Sequence, residues 1–290
     1  MDVLHSRGNH QSALALLDDI DALPMDTFAR AMWQQSRGTV LRDAADTAAR
    51  LLLETALATL LAKFLQDTAS IAAAQIALAR LEISMGNAEP ARALLVPALN
   101  ATQQIAGPKH PQMGIARHAL AMTDALAGNC AEAITKLTHV LKLDYLATPS
   151  SNVLPNYARL DRAWCLIAIG RNSEALADLA TAKASLIALA EPAHPRWAEA
   201  QLARALLAAR AKNFAKAAAH IELAIAANIA QFGEHHPLTE ISQRWRSVTR
   251  TATNRLKTTS TLRGKPDLTL AGQRLALFST VWQAAEKPPQ

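Results

Sequence analysis

Few residues in this sequence have types and spacing suited to bond chemistry. Glu234, His235 and His236 stand together, a carboxylate and two imidazoles of the sort that hold a transition metal. A closed metal site takes about four such ligands, and the neighbouring sequence adds none, so these residues are expected to mark a chain boundary. The motifs of catalysis are missing: no Gly-rich phosphate loop, no Gly-x-Ser-x-Gly elbow and no His-Glu-x-x-His helix occurs. Glu89, Glu132 and Glu174 recur once per repeat, 43 and 42 residues apart, near expected helix starts, where the positive end of the helix dipole favours an acid without any catalytic role. Cys130 and Cys165 lack ligand-spaced partners and read as two buried thiols in a reducing compartment. No catalytic residue, metal or cofactor is expected.

Recognition chemistry is better represented. Tyr157 and Trp164 lie seven residues apart and so share one face of a helix. Only 4% of the chain is aromatic, and Tyr, Trp and Arg are the residues that dominate binding hot spots. A second candidate is electrostatic. From Leu238 to Gln290 nine basic residues face three acids, a net +6 that equals the charge of the whole chain, so everything before it is neutral. Arg244, Arg246, Arg250, Arg255 and Lys257 form the dense part of this run. They could contact nucleic-acid phosphates in a strongly salt-dependent way, serve an acidic protein surface, or only solubilise the end of the fold.

The elements that must position these groups follow from a repeat. Gly86-Asn87-Ala88-Glu89-Pro90-Ala91 returns as Gly128-Asn129-Cys130-Ala131-Glu132-Ala133, as Gly170-Arg171-Asn172-Ser173-Glu174-Ala175 and, more weakly, as Lys212-Asn213-Phe214-Ala215-Lys216-Ala217. The closing alanines at 91, 133, 175 and 217 are 42 residues apart. Twelve residues before each comes another alanine (Ala79, Ala121, Ala163, Ala205), four after come Leu95, Leu137, Leu179 and Ile221, and seven after come Ala98, Val140, Ala182 and Ala224. Self-similarity at a fixed period marks a solenoid. Small residues let two antiparallel helices approach to roughly 8–10 Å, and the Gly or Asn between them ends the first helix and turns the chain. Such a pair cannot bury its apolar face alone, so successive pairs stack.

This pattern resembles the tetratricopeptide repeat, with its small residue in the first helix, its Gly-x-x-x-x-Ala turn and a further small residue seven positions on. The 42-residue step is similar to the longer, kinesin-light-chain-like form. Gly107-Pro108-Lys109-His110-Pro111, Glu191-Pro192-Ala193-His194-Pro195 and Gly233-Glu234-His235-His236-Pro237 resemble the His-Pro opener of such repeats. Proline at the first helical position forgoes a hydrogen bond that is absent there anyway. The resemblance spans roughly residues 1–260 and implies an all-α, right-handed superhelical solenoid of antiparallel helix pairs, whose first helices line a concave groove. Its groove positions fall on Arg80, His118, Met122, Tyr157, Asp161, Trp164, Glu199, Arg210 and Arg244. The Lys/Asn clamp with which some members hold an acidic chaperone tail is not matched, since Arg80, Met122, Trp164 and Leu206 occupy the analogous ladder. A partner peptide with apolar side chains fits better. The resemblance thus implies a non-catalytic scaffold for a protein or extended peptide, the alternative being a nucleic-acid-associated regulator that uses the basic helix.

Residues 1–237 are expected to form the array and 238–290 a basic capping helix, with Ser247 at its small position, followed by a final amphipathic helix over 268–285 that packs back as a last second helix. Arg7-Gly8-Asn9 already reads as a turn into a second helix, so the first repeat is expected to be incomplete and the chain to be the C-terminal region of a longer bacterial-type regulatory protein. No apolar run behind a basic start suggests a signal peptide. The most apolar stretch, Ala48 to Leu65, is interrupted by Arg50, Glu54 and Lys63, too much for a membrane span. A cytoplasmic location is expected.

Overall fold

The computed structural model describes residues 9–143, 153–189, 195–253 and 274. Among these there are twelve α-helices and no strand: α1 (His10–Asp21), α2 (Thr27–Asp43), α3 (Ala48–Lys63), α4 (Thr68–Ser84), α5 (Ala88–Ala106), α6 (Pro111–Leu126), α7 (Cys130–Leu141), α8 (Leu154–Ala168), α9 (Asn172–Leu189), α10 (Pro195–Arg210), α11 (Phe214–Phe232) and α12 (Pro237–Thr253). The chain divides into two compact units, Met1–Asp161 and Arg162–Gln290. In the first, α2 packs on α3, α4 on α5 and α6 on α7, and each pair packs on the next. In the second, α10 packs on α11 and α11 on α12. Within each unit these consecutive helices are neighbours, as stacked hairpins require.

Burial follows the sequence register. Ala91, Ala133, Ala175 and Ala217 are fully buried, as are Ala79, Ala121, Ala163 and Ala205 on the first helices. The residues four and seven positions on (Leu95, Leu137, Leu179, Ile221; Ala98, Val140, Ala182, Ala224) are fully buried too. The pair α2–α3 obeys the same rule through Ala49, Leu53 and Ala56. Its small position on α2 is Gly38, and a Cβ there would come within 2.7 Å of Leu53 Cγ. That crossing is too close even for alanine.

The turns repeat as faithfully as the helices. Gly86, Gly128 and Gly170 have φ of 84°, 83° and 85°, the left-handed conformation in which glycine carries no Cβ penalty. The residue after each donates its N–H to a carbonyl five positions back: Asn87 to Glu82, Asn129 to Asp124, Arg171 to Leu166. With the glycine N–H bonded to Ile83, Ala125 and Ile167, these are Schellman caps. Lys212 holds the fourth copy at φ 56° and Ala45 an earlier one at φ 54°. Helix starts are capped by side chains: Asn9, Asp26, Asp67 and Asn213 each accept a backbone N–H from the first turn. Pro111, Pro195 and Pro237 each open a helix. His110 and His236 are boundary residues, their Nδ1 atoms accepting the N–H of Gln112 and Leu238; His194 lies outside the described residues.

Two details differ from the expectations above. Cys165 is buried, but Cys130 is only half-buried, because it is the first residue of α7 and lies outside the packed register. Ser247 is exposed and bonds back to Gln243 O within its own helix; α12 instead turns Ser242 and the fully buried Trp245 inward. The loop expected at 258–267 and the final helix lie outside the described residues, apart from Arg274, which is helical.

Candidate functional site on the first helix of each pair

The first unit contains five of the nine sequence-selected groove residues, and most of them are committed to one another or to the core. His118 on α6 and Asp161 on α8 are both buried and meet through Nε2 and Oδ2 at 2.8 Å. This bond ties the first helices of two successive pairs. Met122 is 4% exposed. Arg80 and Tyr157 are half-buried and keep part of their surface in reach of solvent. The face is therefore stiffened from below by the His118–Asp161 bond and reachable at Arg80 and Tyr157.

A second polar arrangement in this unit was not anticipated from the sequence. Arg50 on α3 pairs with the buried Glu82 on α4 at 2.7 Å. Forty-two residues on, Arg92 on α5 pairs with the buried Asp124 on α6 at 2.6 Å. Lys136 on α7 completes that site at 2.6 Å, and Asn87 donates to Glu82 at 2.6 Å. Burial opposes the charged form of each acid. The hydrogen bonds from Arg50 and Asn87 outweigh it at Glu82, and those from Lys136 and Arg92 at Asp124, so both carboxyls sit below their usual range. The signal was present in the sequence: Arg50 and Arg92, and Glu82 and Asp124, are each one repeat apart.

The second unit places Trp164, Glu199, Arg210 and Arg244. Trp164 on α8 is 5% exposed and meets Trp245 of α12 edge to face, ring centroids 6.0 Å apart. Glu199 on α10 is half-buried and ion-paired with Arg196. The Arg274 guanidinium lies 4.8 Å above the Trp164 ring. Arg210 is half-buried, donates to Asn172 Oδ1 at 2.9 Å, and has its guanidinium pKa lowered by burial. On α12, Arg244 is exposed and Arg246 pairs with Glu222 at 3.5 Å. The side chain of Arg250, together with Arg255 and Lys257, lies outside the described residues. With Arg246 already neutralised by an acid, the nucleic-acid alternative gains no support.

These features define a class, the helical-hairpin repeat proteins: small residues at each crossing, left-handed caps between helices, and pairs that stack in chain order. Within that class, residues 70–145 match the tetratricopeptide repeat. The match covers α4–α5 and α6–α7, and the same burial register continues in the pairs on either side. Residues 70–145 are therefore similar to tetratricopeptide repeats. No curated protein matches the chain. Tetratricopeptide repeats are non-catalytic modules of protein–protein interaction, which makes a protein the general kind of partner. Among the described residues no helix is long and apolar enough to cross a membrane.

Proposed function

We propose that this chain is a scaffold that holds a protein or an extended peptide along the face built from its first helices. The observation that carries the reading is the contrast along that face in the first unit. Met122, His118 and Asp161 are buried, the last two bonded to each other, whereas Tyr157 on α8 and Arg80 on the neighbouring first helix α4 are only half-buried. Rigid backing with a reachable aromatic and a reachable guanidinium is the arrangement of a binding hot spot.

The test is capture of partners by the immobilised full chain beside a Tyr157→Ala/Arg80→Ala variant, with and without nuclease. Circular dichroism should show unchanged helicity, since neither side chain is in the core. Proteins retained by the wild type should be lost from the variant whatever the nuclease treatment. Retention that ignores the variant and disappears with nuclease would sink this reading.

A further inference from the structure

We propose that the seam between α9 and α10 is a recognition site for an extended peptide that carries two carboxylates around an apolar side chain. The site lies within the second unit and needs nothing from the first-helix face. Asn172, Leu176 and Leu179 follow one another at i, i+4 and i+7 and so form one stripe of α9. α10 packs on this helix and brings a guanidinium to each end of the stripe. Arg210 donates from Nη1 to Asn172 Oδ1 at 2.9 Å, and Arg204 from Nη2 to Leu179 O at 3.4 Å. Leu179 is buried, whereas Leu176, between the two arginines, is 49% exposed.

Neither arginine has a countercharge. α9 and α10 carry three acids, and each is engaged elsewhere: Glu174 with Arg171, Asp178 with Arg162 and Glu199 with Arg196. Arg204 and Arg210 are half-buried, and the hydrogen bonds above end on neutral oxygens. Arg204 Nε is buried and bonded to nothing among the described residues. Burial alone pulls both guanidinium pKa values down. Arg50 in the first unit is moved the other way by its hydrogen bonds to Glu82 and Glu54. A cation withdrawn from water without an acid is a cost to the fold. An incoming carboxylate would remove that cost and gain charge-assisted hydrogen bonds, for which a guanidinium is well shaped.

The repeat register shows what is missing from this seam. Leu176 and Ala208 hold the positions that Arg50 and Glu82, and then Arg92 and Asp124, fill in the first unit. Those seams carry their own acid. Here alanine stands in the acid's place and an exposed leucine in that of the cation. The spacing selects the ligand. Seven helical residues, from Asn172 to Leu179, span about 10 Å, which three residues of extended chain match at about 3.3 Å each. Two acidic residues three apart would therefore meet Arg210 and Arg204, with an apolar residue between them on Leu176.

The probe is the fluorescent, end-blocked hexapeptide Gly-Glu-Leu-Ala-Glu-Gly, titrated against the full chain. Glutamine in place of both its glutamates should weaken binding at least about tenfold, the loss of a charge-assisted hydrogen bond. Arg204→Met/Arg210→Met should weaken it as much from the protein's side. That variant should also melt no lower than the wild type, because its two charges are uncompensated in the free fold; arginines with a purely structural role would give a lower midpoint. Leu176→Glu, at an exposed position, sets a carboxylate between the two arginines. It should raise the midpoint and abolish peptide binding. Failure of the wild type to bind the acidic peptide, or equal binding of the two peptides, would overturn the proposal. So would binding that survives Leu176→Glu, or a double variant that melts lower. Tighter binding of inorganic tripolyphosphate than of the peptide would do so as well, since charge alone would then suffice.

Discussion

The two units share one register of small residues and differ in what fills the positions between repeats. In the first, a basic residue early in each second helix reaches a buried acid near the end of the next first helix: Arg50 to Glu82, then Arg92 to Asp124. In the second unit the corresponding positions are Leu176 and Ala208, and the buried bulk comes from Trp164 and Trp245 instead. The crossings tolerate no such variation, because helix approach fixes them. The inter-repeat positions are held only by complementarity, which charge or hydrocarbon can supply. The contrast is confined to the positions between repeats, since within its first hairpin the second unit also buries an ionic pair, Arg162 with Asp178.

The sharpest way to break this comparison is to remove the aromatic interior. Trp245→Ala should cost about 3–5 kcal/mol, the usual loss for a fully buried large aromatic, read as a drop in thermal midpoint. Amide exchange should rise first in α10–α12. A loss no larger than about 1 kcal/mol would mean that the second unit does not depend on its tryptophans.

The ionic interior is tested by giving it the character of the other. Arg92→Ile alone should cost about 1.5–3 kcal/mol, the range for a hydrogen bond to a charged group, because Asp124 stays buried with Lys136 as its remaining cation. Adding Asp124→Leu should recover most of that loss, since a buried pair replaced by hydrocarbon is often neutral or better. Arg92 is one-third exposed, so solvent screening places the single variant near the lower end. The pH dependence should change in parallel. Glu82 and Asp124 are held below their usual values of 4.5 and 3.8, so their contribution is present above about pH 4.5 and is lost as pH falls through their lowered values. The double variant should lose less stability on acidification than the wild type. Identical acid-unfolding curves would refute an ionic interior in the first unit.

The smallest expected effect lies at the turns. Lys212 occupies the left-handed position that glycine holds at 86, 128 and 170. Lys212→Gly should stabilise the second unit by up to about 1 kcal/mol, because relief of the left-handed strain exceeds the added freedom of the unfolded chain. Gly128→Ala should destabilise the first unit by about 1–2 kcal/mol. Chemical denaturation of both variants checks the opposite signs.

Much of this was legible in the residues. The crossings, caps and helix starts came from Ala121, Gly128 and Pro111 and their copies, whose effects are local: a missing Cβ, a positive φ, a missing N–H. The face was legible as a set of positions but not as a surface. His118 and Asp161 were selected as groove residues, and only packing showed them bonded to each other in the interior. Trp164 was selected as a candidate anchor, and only packing placed Trp245 against one side of its ring and Arg274 over it. The Arg92–Asp124 pair was written into the repeat, yet its meaning depended on Asp124 being buried, which the sequence does not state. The sequence by itself determined the helix pairs and their turns, because backbone conformation and small-residue contact act within one hairpin. Tertiary structure alone decided which polar groups are spent on the fold and which remain for a partner, because burial and pairing are set by helices from separate repeats.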